Sequence, residues 1–407
     1  MYSQKVTQKN LEMFAAQEGW MPEPRSLDEV EELKERIDSL VTIESNRKST
    51  YVAFKNPISA RRSREIRRWI ENEQILCALD SCYFESRYAY LLNEMGEIVK
   101  FKNRRSQEVL DAIFAETEEE EKSTELLLLG ARQTGVVTKI ALKFLHRLLF
   151  IPHTQTLIAS PNPDSRRLTA KAMDITYSQC PWWLVPRKTP KNAFENGSDF
   201  VQSGMRARGT PRGWTPTCIL LDDVDYVSQP TITIEENLLR SVLSSRNLFL
   251  ILHGSLHSKI GWLANTYRKA KEYWPKGQSR FHPIFIPWAI CSDIYPSQQW
   301  IEKHPRPADW IPMPETVDHV ARCQNFVQKT SYLSRVTGSN WTMPPEQQWF
   351  WEFGYKAAQA EDCLPQYLEQ MVADDEELLD EGSDDIGSVF PTPVVTQEKV
   401  RKLLQTE

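Results

Sequence analysis

Residues 126–139, LLLLGARQTGVVTK, are the first place where residue types and spacing suggest chemistry. An apolar run, Leu126–Leu129, leads into Gly130 and Gly135, which have the G-x-x-x-x-G spacing of a phosphate-binding loop. Such a loop turns backbone N–H groups inward, and the positive end of the following helix adds to its attraction for phosphate. Lys-Ser/Thr ordinarily comes next. Here those positions are Val136 and Val137, with Thr138 one place late, Lys139 beyond it and Arg132 inside the loop. A second segment, CILLDDVD, puts Asp222 and Asp223 at the tip of an apolar strand. Asp222 could hold Mg²⁺ there, and Asp223 could orient or deprotonate a water. A third, NLFLILHGSLHSKIGW, ends a strand in small and polar residues that could sense a phosphate. It carries His253 and His257, with no further His or Cys nearby at metal-ligand spacing.

These residues can act together only if the elements around them bring them to one edge. Leu126–Leu129, Thr154–Ser160, Thr217–Leu221 and Asn247–His253 read as buried strands, and Gly130–Thr138 as a loop. Lys139–Phe150 reads as a helix with Ile140, Phe144 and Leu148 on one face. Strands separated by helical stretches predict a mainly parallel sheet covered on both faces, with ligands held at the carboxyl ends of its strands. A glycine loop, then an acidic strand tip, then a polar strand end is the layout of a P-loop ATPase. The expected fold class is therefore α/β: a P-loop NTPase, RecA/ASCE-like, whose mostly parallel sheet is flanked by helices and preceded by a helical N-terminal extension.

Four regions are expected: a charged helical extension at 1–75, an approach segment at 76–122, the ATPase domain at 123–392 and a short tail at 393–407. In the first, Leu27–Ile43 reads as an amphipathic helix opened by a capping box of Ser26 and Glu29. Arg61, Arg62, Arg64, Arg67 and Arg68 follow as a basic helix, a solvated face or a contact for phosphate or a partner. Asn93–Gly96 reads as a turn between two short apolar runs.

The chain has 407 residues, 49 Lys plus Arg and 55 Asp plus Glu, for a formal net charge of −6. That excludes a uniformly basic coat for nucleic acid but leaves room for a local basic groove. No apolar run approaches the roughly 20 residues that span a bilayer, so no membrane partner is expected. The seven cysteines form no CxxC pair, which argues for reduced thiols and against a zinc site.

With these pieces in order, residues 75–392 resemble the ATPase part of the large terminase subunit, the motor that packages DNA into tailed-phage heads. ARQTGVVT is similar to the family's phosphate loop, Arg-Gln-x-Gly-Lys-Ser/Thr-Thr, with Arg132, Gln133, Gly135 and Thr138 in register. Upstream, CYFESRYAYLLNEMGEIVKFKNRRSQEVL resembles the family's approach segment and places Gln107 where its adenine-contacting glutamine sits. Arg212-Gly213 resembles the Arg-Gly ahead of the acidic strand, and ILLDDVDYV the strand itself, with Asp223 in place of the family's Glu. HGSLHSKIGWLANTYRKA resembles the coupling motif, and YLEQMVADDEELLDEGSDDIGSVF the segment that closes the ATPase region.

The resemblance implies ATP on the loop at 130–138 and Mg²⁺ between Asp222 and Thr138. It implies Arg132 reaching the γ-phosphate, Asp223 positioning the attacking water, and Lys139 as the nearest substitute for the absent lysine. Ser255, His257 and Ser258 would couple hydrolysis to DNA movement. It further implies double-stranded DNA, a small terminase subunit, a portal protein and a homo-oligomeric ring, acting in the host cytoplasm at the procapsid portal. The nuclease half would come from a separate subunit. Arg61–Arg68, Arg104-Arg105 and Arg206–Arg212 are the candidate DNA contacts. A terminase-like scaffold that binds without turnover is the alternative favoured by Val136, Val137 and Asp223. A helicase-like repair ATPase shares the core fold, and would need a second such domain.

Overall fold

The computed structural model describes residues 11–45, 50–55, 58–93, 95–119, 123–131, 133–189, 192–205, 216–227, 230–236, 239, 248–254, 261–364, 367–368 and 371–376. Helix α1 (Leu27–Leu40) precedes an antiparallel pair, β1 (Val41–Ser45) and β2 (Thr50–Phe54). The expected capping box opens α1: the Ser26 hydroxyl accepts the Glu29 N–H at 3.3 Å, and the Ser26 N–H donates to Glu29 Oε2 at 2.7 Å. The helix stops at Leu40, short of the expected Ile43. The β-branched run Val41-Thr42-Ile43 is extended instead, because branching at Cβ costs rotamer freedom in a helix and fits a pleated strand.

Helix α2 (Ala60–Leu79), with the arginine cluster in its first half, runs unbroken through position 75. Part of that charge is used internally: Arg62 pairs with Glu65 at 2.9 Å, and the Arg36 and Arg62 guanidinium groups lie over the Trp69 ring. Arg61, Arg64, Arg67 and Arg68 are exposed. Deeper in α2, the buried Glu73 carboxylate accepts from Arg25 at 2.6 Å and from the Tyr88 hydroxyl at 2.8 Å, tying the N-terminal segment to α3 (Ser81–Tyr88). A hairpin, β3 (Tyr90–Leu92) and β4 (Ile98–Lys100), contains the expected turn, and α4 (Arg105–Glu119) completes the approach to the sheet.

The sheet alternates strands with helices. β5 (Thr124–Gly130) leads to α5 (Val136–Phe150), and β6 (Gln155–Ala159) to α6 (Pro163–Gln179). Then come β7 (Asp199–Ser203), β8 (Cys218–Leu221), β9 (Phe249–Gly254), α7 (Trp262–Tyr273) and β10 (His282–Ile286). The order across the sheet is β10-β5-β9-β8-β6-β7, and every pairing is parallel. Both faces are covered, and the alternation of side chains shows it. Leu126, Leu128, Cys218, Leu220, Phe249 and Ile251 face one core cluster; Leu127, Leu129, Ile219, Leu221, Leu250 and Leu252 face the other. Ile140, Phe144 and Leu148 of α5 fill the first, as their spacing predicts, and Leu263, Tyr267 and Ala270 of α7 fill the second. Each buried Leu, Ile or Phe among these contributes about 1.5–3 kcal/mol. The result is the α/β, P-loop-NTPase-like architecture the pattern called for.

Two strands of this sheet lie outside the sequence expectation, and both are edges. β10 contains Pro283, which lacks the N–H a central strand would need and is tolerated at an edge. β7 mixes polar and apolar residues because only one side of it is paired with another strand of the sheet. The chain leaves β5 toward β6 on one side and reaches β10 on the other, so the strand order reverses beside β5. Open α/β sheets hold their ligands at such a point, beyond the carboxyl ends of the strands.

Candidate functional site

That edge is built from the tips of β5, β9, β8 and β6. After Gly130 the chain turns through a short loop, and α5 begins at Val136, two residues earlier than the end of the expected loop. Gln133 and Gly135 both adopt left-handed backbone, at φ 61 and 76, while Thr134 between them does not. Alternating left- and right-handed residues point successive N–H groups into one concavity, the geometry of an anion-binding nest. Gly135 is the N-cap of α5 and brings no capping side chain, so the first-turn donors of α5 stay open to a ligand.

The loop is held from behind. Arg104 Nη1 donates to Gln133 O at 3.4 Å, the Ser106 hydroxyl to Thr134 O at 2.6 Å, and Gln107 Nε2 to Gly135 O at 2.8 Å. Three successive loop carbonyls are thus tied to the start of α4. Gln107, 3% exposed, also accepts the Arg104 N–H on Oε1 at 2.9 Å, so both ends of its amide are engaged by protein. In this arrangement Gln107 shapes the loop rather than presenting an open edge to a base.

A methyl group has no room at Gly135: a Cβ there would lie 2.7 Å from Gln107 Nε2, on a left-handed backbone. Gly135→Ala is therefore expected to cost about 1–2 kcal/mol in backbone strain alone and to release the Gly135 carbonyl. Urea unfolding of the variant beside the wild type measures the first effect, and weakened triphosphate binding by calorimetry the second.

Lys139 is not at the loop. It is 0% exposed, and its ammonium reaches Glu85 Oε2 and, at 2.7 Å, Asp111 Oδ1 on α3 and α4. Burial alone would push its pKa down; the two carboxylates outweigh burial and raise it, so it stays charged. Burial pushes Glu85 up to about 7, the Lys139 charge opposing and Asp111 adding to the rise. A lone ammonium between two buried carboxylates is neutralised by one of them, and the second then favours its proton. The expectation of Lys139 as a replacement phosphate cation is corrected by this placement: α5 turns residue 139 toward α3 and α4, away from the nest. Val136, where the lysine would stand, is 4% exposed and packed in the core. Thr138, in the first turn of α5, is half-buried and its hydroxyl takes no partner among the described residues.

On the acidic side the two aspartates part. Asp222, 5% exposed, is at the tip of β8, and its Oδ1 pairs with His253 Nδ1 of β9 at 2.7 Å and accepts the Asp223 N–H at 3.0 Å. Its Oδ2 takes no partner among the described residues. Asp223 sits in left-handed backbone, φ 55, and turns toward β6, where Oδ2 accepts from Ser165 at 2.7 Å and Ser160 at 3.4 Å. Burial lowers the His253 pKa, but its bond to Asp222 and the charges of Asp222, Asp223 and Asp225 outweigh burial and hold it above the ordinary value. Gly254 leaves room beside this cluster for α7, since a Cβ there would lie 2.6 Å from Leu263 Cδ2 and 3.2 Å from Asp225 Oδ2.

β9 separates β5 from β8, so the nest and Asp222 stand two strand spacings apart, about 10 Å, a gap that a polyphosphate with its metal can fill. Mg²⁺ ordinarily takes one or two carboxylates together with substrate phosphates and water. The open Oδ2 of Asp222 and the Thr138 hydroxyl fit that donor set, and among the described residues there is no cluster of three His, Cys, Asp or Glu for a protein-caged metal.

Arg132, Ser255, His257, Ser258 and Arg206–Arg212 lie outside the described residues. Sequence reasoning missed Ser160 and Ser165 as partners of Asp223, His253 as the partner of Asp222, and the hold of Arg104, Ser106 and Gln107 on the loop. Ser160 carried a signal, a polar residue closing an apolar strand just as Asp222 does. Side chains reaching distant carbonyls leave none.

No protein-family model matches the chain, and no curated protein matches it. Among solved structures it is similar to the HK97 bacteriophage large terminase, at 13% identity and TM-score 0.46 over 72% of this chain and 54% of that one. It is also similar to the Thermus phage P74-26 large terminase ATPase domain, at 16% identity and TM-score 0.31 over 50% of this chain and 87% of that one. The chain thus matches about half the length of the HK97 protein. Among the described residues no helix is long and apolar enough to cross a membrane.

Proposed function

We propose that the chain is an ATPase of the terminase motor type, coupling ATP hydrolysis to the translocation of double-stranded viral DNA into a procapsid. The observation that carries the reading is the nest: Gln133 and Gly135 in left-handed backbone at an uncapped helix start, beside a strand tip that offers an open Asp222 oxygen. The order of motifs along the chain supports the same reading. Backbone N–H groups of 133–138 hold the phosphates, with their carbonyls kept out of the way by Arg104, Ser106 and Gln107. Asp222 and Thr138 would hold Mg²⁺, which would offset charge on the phosphate oxygens. Asp223, fixed by Ser160 and Ser165, orients the attacking water. In the proposed assembly a homo-oligomeric ring of this chain works on a portal protein, with a small subunit and a separately supplied nuclease, in the host cytoplasm.

A second reading has its own support. With Val136 in the core and Lys139 buried among carboxylates, the loop brings no lysine to the phosphates, which favours a terminase-like scaffold that binds DNA, portal or small subunit without turnover. Steady-state ATP hydrolysis with and without double-stranded DNA separates the two. The motor reading expects Mg²⁺-dependent turnover that rises with DNA; triphosphate binding with no turnover in either condition would leave the scaffold.

A further inference from the structure

The loop lacks the lysine that a phosphate loop ordinarily carries: Val136, at that position, packs in the core, and Lys139, its nearest substitute, is buried with Glu85 and Asp111. The strand tips opposite bring three carboxylates, Asp222, Asp223 and Asp225, around His253. Residues 133–138 offer a triphosphate backbone dipoles and the Thr138 hydroxyl, and no cation among them.

One described cation lies against the loop. The Arg104 carbonyl accepts the N–H groups of Gln107 and Glu108, each at 2.9 Å, and its own N–H donates to Gln107 Oε1 at 2.9 Å, which fixes where its side chain departs. That side chain runs along the loop: its Cδ would be 3.7 Å from a Cβ on Gly135, and Nη1 reaches Gln133 O at 3.4 Å. The residue is exposed, and its other guanidinium nitrogens make no hydrogen bond with the described residues. A bond that long to a neutral carbonyl is weak and readily exchanged for a charged acceptor. Gln133 and Gly135 are two residues apart, at most about 7 Å, so a small swing carries the guanidinium from one end of the nest to the other.

We propose that Arg104 binds the phosphates held on the 133–138 nest, supplying from the start of α4 positive charge in place of the lysine that the loop lacks. The assignment rests on the loop being the nucleotide site. The planar guanidinium offers paired N–H donors to two phosphate oxygens at once, which suits it to grip a phosphate from outside the loop. The ligand class is a polyphosphate, and the contact is indifferent to the base.

The test is calorimetric binding of Mg-ATP and of inorganic triphosphate to the full chain and to Arg104→Ala, Arg104→Gln and Arg104→Lys. Loss of one charge-assisted contact should weaken both ligands about 10- to 100-fold in the Ala and Gln variants, with Lys recovering most of the loss. Gln keeps a donor for the Gln133 carbonyl without the charge, so wild-type affinity in Arg104→Gln would show that Arg104 only braces the loop and would overturn the proposal. Weakening of ATP alone, with triphosphate unaffected, would place Arg104 on the nucleoside and overturn it as well. Should Arg104→Ala fold poorly, the contrast between Gln and Lys decides. A wild-type chain that binds neither probe would instead remove the nucleotide site itself, and this assignment with it.

Discussion

Lys139→Met is expected to lower the free energy of unfolding by about 3–5 kcal/mol, the usual cost of removing one partner from a buried ionic cluster. The side chain is 0% exposed, and without its ammonium the Glu85 and Asp111 carboxylates would face one another inside the protein. Glu85 Oε1 already lacks a partner among the described residues, so the cluster has no spare donor to absorb the loss. Urea denaturation at pH 7 reads the effect as a lower midpoint at unchanged slope; a change below about 1 kcal/mol would contradict the buried triad. The pH response has a definite sign. Glu85 titrates near 7 in the folded chain against an ordinary 4.5, so its contribution to stability is full below about pH 4.5 and is lost as pH rises through about 7. Folded Lys139→Met should bind triphosphate as the wild type does, because residue 139 is away from the nest.

On the proposed motor reading, Asp222→Asn is expected to reduce ATP turnover about 10²–10³-fold, the scale set by removing one electrostatic stabiliser from a preorganised site. The amide preserves the size of the side chain and its bond to His253 but replaces the anionic oxygen that would hold Mg²⁺. Triphosphate binding measured with EDTA present should change little, since the nest is on the far side of β9. Turnover in Asp222→Asn equal to that of the wild type would remove Asp222 from the metal site and with it the role assigned to the β8 tip.

The parts of this molecule that repeat a simple period were readable in the sequence. Leu126–Leu129, Cys218–Leu221 and Phe249–Leu252 are apolar on both faces because both faces are covered, and Ile140, Phe144 and Leu148 follow the helical period. Gly135 and Asp222 stood out because an apolar strand stopping at a glycine or an acid is an uncommon local pattern. Pro283 and Asp199 hid the two edge strands, since an edge needs only half the pairing of a central strand. Lys139 illustrates a different gap. Its position in the first turn of α5 was legible, but its direction is set by Glu85 and Asp111, which reach it from other helices through the fold. The brace of Arg104, Ser106 and Gln107 on 133–135 is likewise invisible to any pattern, because the acceptors are backbone carbonyls that every residue has.

That brace and the buried triad have a mechanical consequence. Hydrogen bonds fasten the nest to the start of α4 on one side of Gly135, and ion pairs fasten the first turn of α5 to α3 and α4 on the other. The loop, the approach helices and α5 therefore travel as one block. The opposite flank, β8–β6, is fastened more lightly: among the described residues the Asp223 side chain is held there by two serine hydroxyls, so a closing of this edge over a ligand is expected to bend on that side.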